Sequence, residues 1–73
     1  METDRWGRRI RAFRKLKGYT QEGLAKDIGV SVSILGEIER GSRTPANEII
    51  EKISRALGIS INELNPGNVQ EVD

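Results

Sequence analysis

"TQEGLAKDIGVSVSILGEIERG", residues 20–41, holds two short helical patterns with almost nothing between them. The first places Leu24, Ala25 and Ile28 on one face and stops at Gly29. Thr20 stands where a hydroxyl can accept a free N–H of the first turn, and Glu22 suits the positive end of a helix. The second begins at Ser31, its expected cap, and carries Leu35 and Ile38 before Gly41. Two helices joined by a three- or four-residue turn containing glycine form a helix-turn-helix. Gly29 can take positive φ without penalty, and Val30 is placed to tuck between the helices. The helix at 31–40 then stands out from the body, with Ser33, Gly36, Glu37 and Arg40 on its outer side. Gly36 is costly there, by about 1 kcal/mol relative to alanine. It is expected to face outward, kept bare for a close approach.

Outward from this pair the pattern stays helical. Trp6, Ile10, Phe13 and Leu16 recur at intervals of four, three and three, the stripe of an amphipathic helix that ends at Gly18. Thr44 is expected to cap a fourth helix with Pro45 at its first position, where the missing N–H costs nothing. Ile49, Ile50, Ile53, Ala56 and Leu57 should face inward before Gly58. Ser60-Ile61-Asn62-Glu63 reads as a capping box, with Ile59 and Leu64 at the staple positions. Nothing alternates like a strand. The fold class is all-α, a compact five-helix bundle over residues 1–65, with a short polar tail at 66–73.

Composition narrows the function. Seventy-three residues allow one domain. Cysteine and histidine are absent, so no disulfide is possible, which fits a reducing compartment. No apolar run approaches the roughly 18–20 residues of a membrane span, and METDRWGRRI lacks the apolar stretch of a signal peptide. The expectation is a cytoplasmic protein that does not engage membranes. Enzyme chemistry has little to stand on, with no phosphate-binding glycine loop and no metal-ligand spacing. No cofactor and no small-molecule ligand are expected. Residues 1–20 carry a charge balance of +5 and the remainder −4. A basic segment favours a polyanion; the bland alternative is a solvated helix face.

"RIRAFRKLKGYTQEGLAKDIGVSVSILGEIERGSRTPANEIIEKISRALGISINEL", residues 9–64, resembles the phage-repressor-like helix-turn-helix family of Cro and cI type. KGYTQEGLA, GVS, IERG, the proline before the fourth helix and ALGIS occur in order at that family's spacing. The resemblance implies a lambda repressor-like bundle with the third helix as reader. The activity implied is sequence-specific binding of a double-stranded DNA operator, control of transcription, most often repression, and action as a homodimer.

The same resemblance distributes roles. Gln21 would hold a phosphate and brace the reading helix. Val32, Ser33 and Glu37 match the main base-reading positions, with Gly36 on the same face and Ile34 at its edge. Ser31 is read first as a cap. Arg43, with Arg40 and Ser42, would run along the DNA backbone. Arg14 and Glu39 match a pair that bridges the first helix to the end of the third. Val32 and Glu37 depart from the long polar residues common in relatives. Val32 offers only apolar contact, for instance to a thymine methyl, and Glu37 either accepts from cytosine N4 or repels DNA. Those departures keep open an alternative, a protein-interaction module on the same fold, such as an antitoxin-like or regulator-binding partner.

Overall fold

Helices follow one another through the chain: α1 Glu2–Leu16, α2 Gln21–Ile28, α3 Val32–Arg40, α4 Asn47–Leu57 and α5 Ile61–Leu64. They are drawn from a computed structural model that describes residues 2–65, with side chains from Trp6 onward. The expected tail at 66–73 lies outside the described residues. No strand occurs among the described residues.

The core joins Ile10 of α1, Leu24, Ala25 and Ile28 of α2, Leu35 and Ile38 of α3, Ile50, Ile53 and Leu57 of α4, and Leu64 of α5. Trp6, Phe13, Tyr19, Val30, Ile34, Ile49, Ala56 and Ile59 pack around it, half-buried. Leu16 does not belong to this set. It is 74% exposed, contrary to the stripe read from spacing. With about 100° per residue, two steps of three from Ile10 turn the stripe by about 120°, off the buried face. The slot one turn beyond Ile10 is taken by Arg14, which is buried.

Caps fix most of the helix ends. Thr20 Oγ1 accepts from Gly23 N at 2.9 Å, Ser31 Oγ from Ile34 N at 3.1 Å, and Ser60 Oγ from Glu63 N at 3.1 Å. At the turn of the helix-turn-helix, Gly29 is left-handed with φ 75°. That conformation turns the chain so that Val30 N donates back to Ala25 O at 3.0 Å, closing α2 in a Schellman bond. The fourth helix departs from expectation. Thr44 is exposed and does not cap it, and Pro45 is not its first residue. Pro45 is buried, Ala46 stays extended at φ −71°, ψ 157°, and the first backbone turn closes from Ile50 N to Ala46 O at 3.0 Å. The prolyl ring is used for packing ahead of the helix. It stands at the residue before the cap, with buried Ile50 at the matching position of the first turn, which is the placement of a hydrophobic staple.

Two further contacts lock the bundle. Gly7 lets the backbone of α1 rest on the end of α3: a Cβ there would fall 2.4 Å from Ile38 O and 2.6 Å from Glu39 O. Arg9 donates from Nε to Glu63 O at 3.0 Å and from Nη2 to the same oxygen, while its guanidinium lies 5.7 Å from the centroid of the Phe13 ring. It thereby ties α1 to the carbonyl end of α5, where a cation is favoured. Tyr19, at the α1–α2 connection, donates its hydroxyl to Asp27 Oδ2 at 2.8 Å. That hydrogen bond, aided by desolvation and by the negative charge, raises the phenol above its usual value of 10.0.

Candidate nucleic-acid interface

α3 meets α1 and α2 through a polar network. Arg14 donates from Nε to Glu39 Oε2 at 2.7 Å and from Nη2 to Oε1 at 3.1 Å, while its Nη1 donates to Tyr19 O at 2.9 Å. The two side chains are 10% and 3% exposed, so the pair is a buried, two-pronged fork. Gln21, the first residue of α2, adds Nε2 to Glu39 Oε1 at 3.1 Å. One carboxylate on α3 therefore receives donors from α1 and α2. No buried side-chain polar atom is left without a partner among the described residues.

Beside this network lies a cleft of about 340 Å³, lined by Arg11, Arg14, Gln21, Glu39 and Arg40. Arg14 and Glu39 neutralise each other. Arg11 and Arg40, both exposed and without an ion pair among the described residues, leave the rim positive. In the first turn of α3, Ser31, Val32 and Ser33 are all exposed and Ile34 is half-buried.

Gly36 is not the bare, outward position expected from the sequence. It is buried. A Cβ on it would lie 3.1 Å from Arg40 Nη1 and 3.8 Å from both amide atoms of Gln21. The glycine makes room for these two polar side chains to fold across α3, and they, not the glycine, form the outer surface there. Sequence periodicity put Gly36 on the correct side of the helix, but it carries no information on long side chains that lie down over a neighbour.

Glu37 and Arg43 are also not independent. Arg43 Nε donates to Glu37 Oε1 at 2.7 Å, with the side chains 50% and 37% exposed. Ser42 is folded onto the end of α3, its N–H and its Oγ both donating to Glu37 O at 3.0 and 3.2 Å. The loop after α3 is thus fastened back onto the helix.

The family model described as helix-turn-helix matches residues 10–64. This chain belongs to that family. It is 67% identical over 66 residues to the uncharacterized HTH-type transcriptional regulator YazB of Bacillus subtilis (strain 168), covering 90% of this chain and 96% of YazB. It is 38% identical over 58 residues to the immunity repressor protein of Bacillus phage phi105, covering 80% of this chain but only 40% of the phage protein. Among solved structures, the restriction-modification controller protein C.AhdI from Aeromonas hydrophila superposes with a TM-score of 0.82 at 39% identity, covering 85% of this chain and 94% of that one. The helix-turn-helix chain is a DNA-binding regulator, and its family is non-enzymatic. No helix among the described residues is long and apolar enough to cross a membrane.

Three contributions escaped sequence reading. Arg9 pairs with a carbonyl 54 residues away, for which no local pattern exists. The Glu37–Arg43 bond crosses a helix end, where side-chain direction depends on the loop. Gly7 did leave a signal, since a glycine inside a helical stripe asks for a packing reason.

Proposed function

We propose that this chain represses transcription in the cytoplasm by binding a double-stranded operator as a homodimer, each copy laying α3 in the major groove with its N-terminal turn foremost. The observation that carries this reading is the exposed Ser31–Val32–Ser33 turn of α3, on a helix whose Arg40 shares with Arg11 and Gln21 a cleft with a positive rim. Phosphate contacts set register, and base-edge contacts specify sequence. Gln21 suits the first task. Its amide nitrogen has two hydrogens, one given to Glu39 and the other available to a phosphate at the N-terminus of α2, where the helix dipole also favours an anion. Arg11 and Arg40 add charge around that phosphate. Val32 and Ser33 are short enough to bring the helix end against base edges, with Val32 suited to a thymine methyl and Ser33 to either a donor or an acceptor. Ser31, Ile34, Gly36 and Ser42 act indirectly, through the cap, the edge of the helix, the bed for Arg40 and the loop anchor. The repressor sense is supported by the likeness to the phage immunity repressor. Pairing of Glu37 with Arg43 supports DNA over a protein partner, because the acidic residue presents no uncompensated charge to the phosphates.

Selection from a random pool of duplex DNA, followed by titrations at several salt concentrations, tests the proposal. The expected result is one enriched motif and a log K that falls steeply with log salt, by about 0.9 per phosphate neutralised. Gln21→Ala should weaken enriched and random DNA alike, and Arg40→Ala should also lower the slope by about 1. Binding that is salt-independent and enriches no sequence would overturn it.

A further inference from the structure

Arg43 belongs to the loop in sequence but to the outer face of α3 in space. Its Nε–H is spent on Glu37 Oε1 at 2.7 Å, and Glu37 lies one turn after Ser33 on the same exposed ridge of the helix. We propose that Arg43 reads a guanine in the operator, and that Glu37 is the positioning residue that aims it. The proposal rests on α3 being the helix that enters the groove.

The chemistry favours a base over a phosphate. A guanidinium has five N–H donors in a fixed fork. One is taken by the carboxylate, and the two terminal nitrogens keep four. Two of those can meet O6 and N7 of one guanine, the commonest specific contact of arginine in the major groove. A backbone contact needs charge rather than aim, and a carboxylate bound to the same guanidinium weakens its pull on a phosphate. For base reading the carboxylate is an advantage, because it fixes a long side chain before binding and reduces the rotamer freedom lost in the complex. The remaining outer residues of the first turn, Val32 and Ser33, are short and offer little to distinguish guanine. Arg43 is the long planar donor held on that ridge, with half its surface open.

Four proteins separate the possibilities in duplex-pool selection and titration: the wild type, Arg43→Lys, Arg43→Ala and Glu37→Ala. Lysine keeps the charge and loses the planar fork. The wild type should enrich guanine at one fixed position of each half-site, and replacing that base should weaken binding by about tenfold to a hundredfold. Arg43→Lys, which can still donate to guanine but without the planar fork, should weaken the preference at that position alone, while affinity for random DNA and the salt slope stay as in the wild type; Arg43→Ala should erase it. Glu37→Ala should reduce the same preference several-fold and leave the other positions unchanged, which a general structural role would not do. Both changed residues are solvent-exposed in part, and matching thermal melts confirm that the variants fold. If Arg43→Ala retains every base preference, or lowers the salt slope by about 1 with the motif intact, the arginine is not the guanine reader and the inference fails while α3 remains the reader. If the wild type enriches nothing, the DNA-reading role of α3 fails with it.

Discussion

At Gly7 the missing side chain sets the distance between α1 and α3. An alanine would place its methyl 2.4 Å from a main-chain carbonyl of α3, which cannot swing aside as a side chain can. The whole helix would have to retreat, stretching the Arg14–Glu39 bridge. Gly7→Ala is expected to cost about 1–3 kcal/mol or more, as overpacking does. Urea unfolding should show a lower midpoint at unchanged m, and an unchanged midpoint would mean that the helices separate without loss. Gly36 is a different case. The nearest atom to its would-be Cβ is the far end of the exposed Arg40 side chain, at 3.1 Å. That guanidinium can shift by tenths of an ångström, so the helix propensity of alanine, up to about 1 kcal/mol, decides the sign. Gly36→Ala should raise the melting temperature. Gly36→Leu should displace Arg40 and Gln21 and weaken random and specific DNA together, which titration against both would detect.

Between elements, α3 is held by one carboxylate. Glu39 joins α3 to α1 through Arg14 and to α2 through Gln21. Removing one partner of a buried ion pair strands the other, at a cost of about 3–5 kcal/mol. Against a total stability of about 5–15 kcal/mol, Glu39→Ala should leave the protein barely folded. Arg14→Met with Glu39→Leu should recover much of the loss, because two apolar groups leave no unpaired charge. A double-mutant cycle measures the coupling, and a value near zero would deny that the bridge matters. The hydroxyl of Tyr19 offers a second test, on the α1–α2 connection. Its pKa is raised in the folded state, first by the hydrogen bond to Asp27, so folding favours the protonated phenol. The associated stabilisation is complete below the unfolded value of about 10 and is lost as pH rises through the higher folded value. Tyr19→Phe should therefore melt below the wild type at pH 7, and the gap should close as pH rises above 10, through the higher folded value. A gap independent of pH would show that packing of the ring, and not the hydroxyl, is responsible.

The described part of the molecule measures 36 × 24 × 20 Å, and its α3 presents one short exposed first turn. So small a surface reads only a few base pairs. Two copies related by a two-fold axis would reach successive major grooves on one face of the duplex, with half-sites one helical turn apart, about 34–36 Å or 10–10.5 base pairs. The enriched sequences are accordingly expected to be inverted repeats with that centre-to-centre spacing. Halving the site should abolish tight binding, while inserting five base pairs should place the half-sites on opposite faces and do the same. Equal affinity for a single half-site would show that one copy suffices.

Local rules were enough for much of this architecture. The caps at Thr20, Ser31 and Ser60, the left-handed Gly29, the buried Leu24–Ile28 and Leu35–Ile38 faces and the five-helix order all follow from hydrogen-bonding chemistry and periodicity within a few residues, and they appear as read. Where the sequence misled, a distant neighbour had the deciding influence. Leu16 is apolar but lies off the face that α3 covers. Pro45 fits a helix start by its φ, but the core takes its ring and moves the helix start to Asn47. Gly36 points to the proper side, but whether that side is open depends on where Arg40 and Gln21 lie. Periodicity assigns a residue to a face of its own helix. What covers that face, and which charge meets which, is fixed only when helices far apart in the chain are packed together.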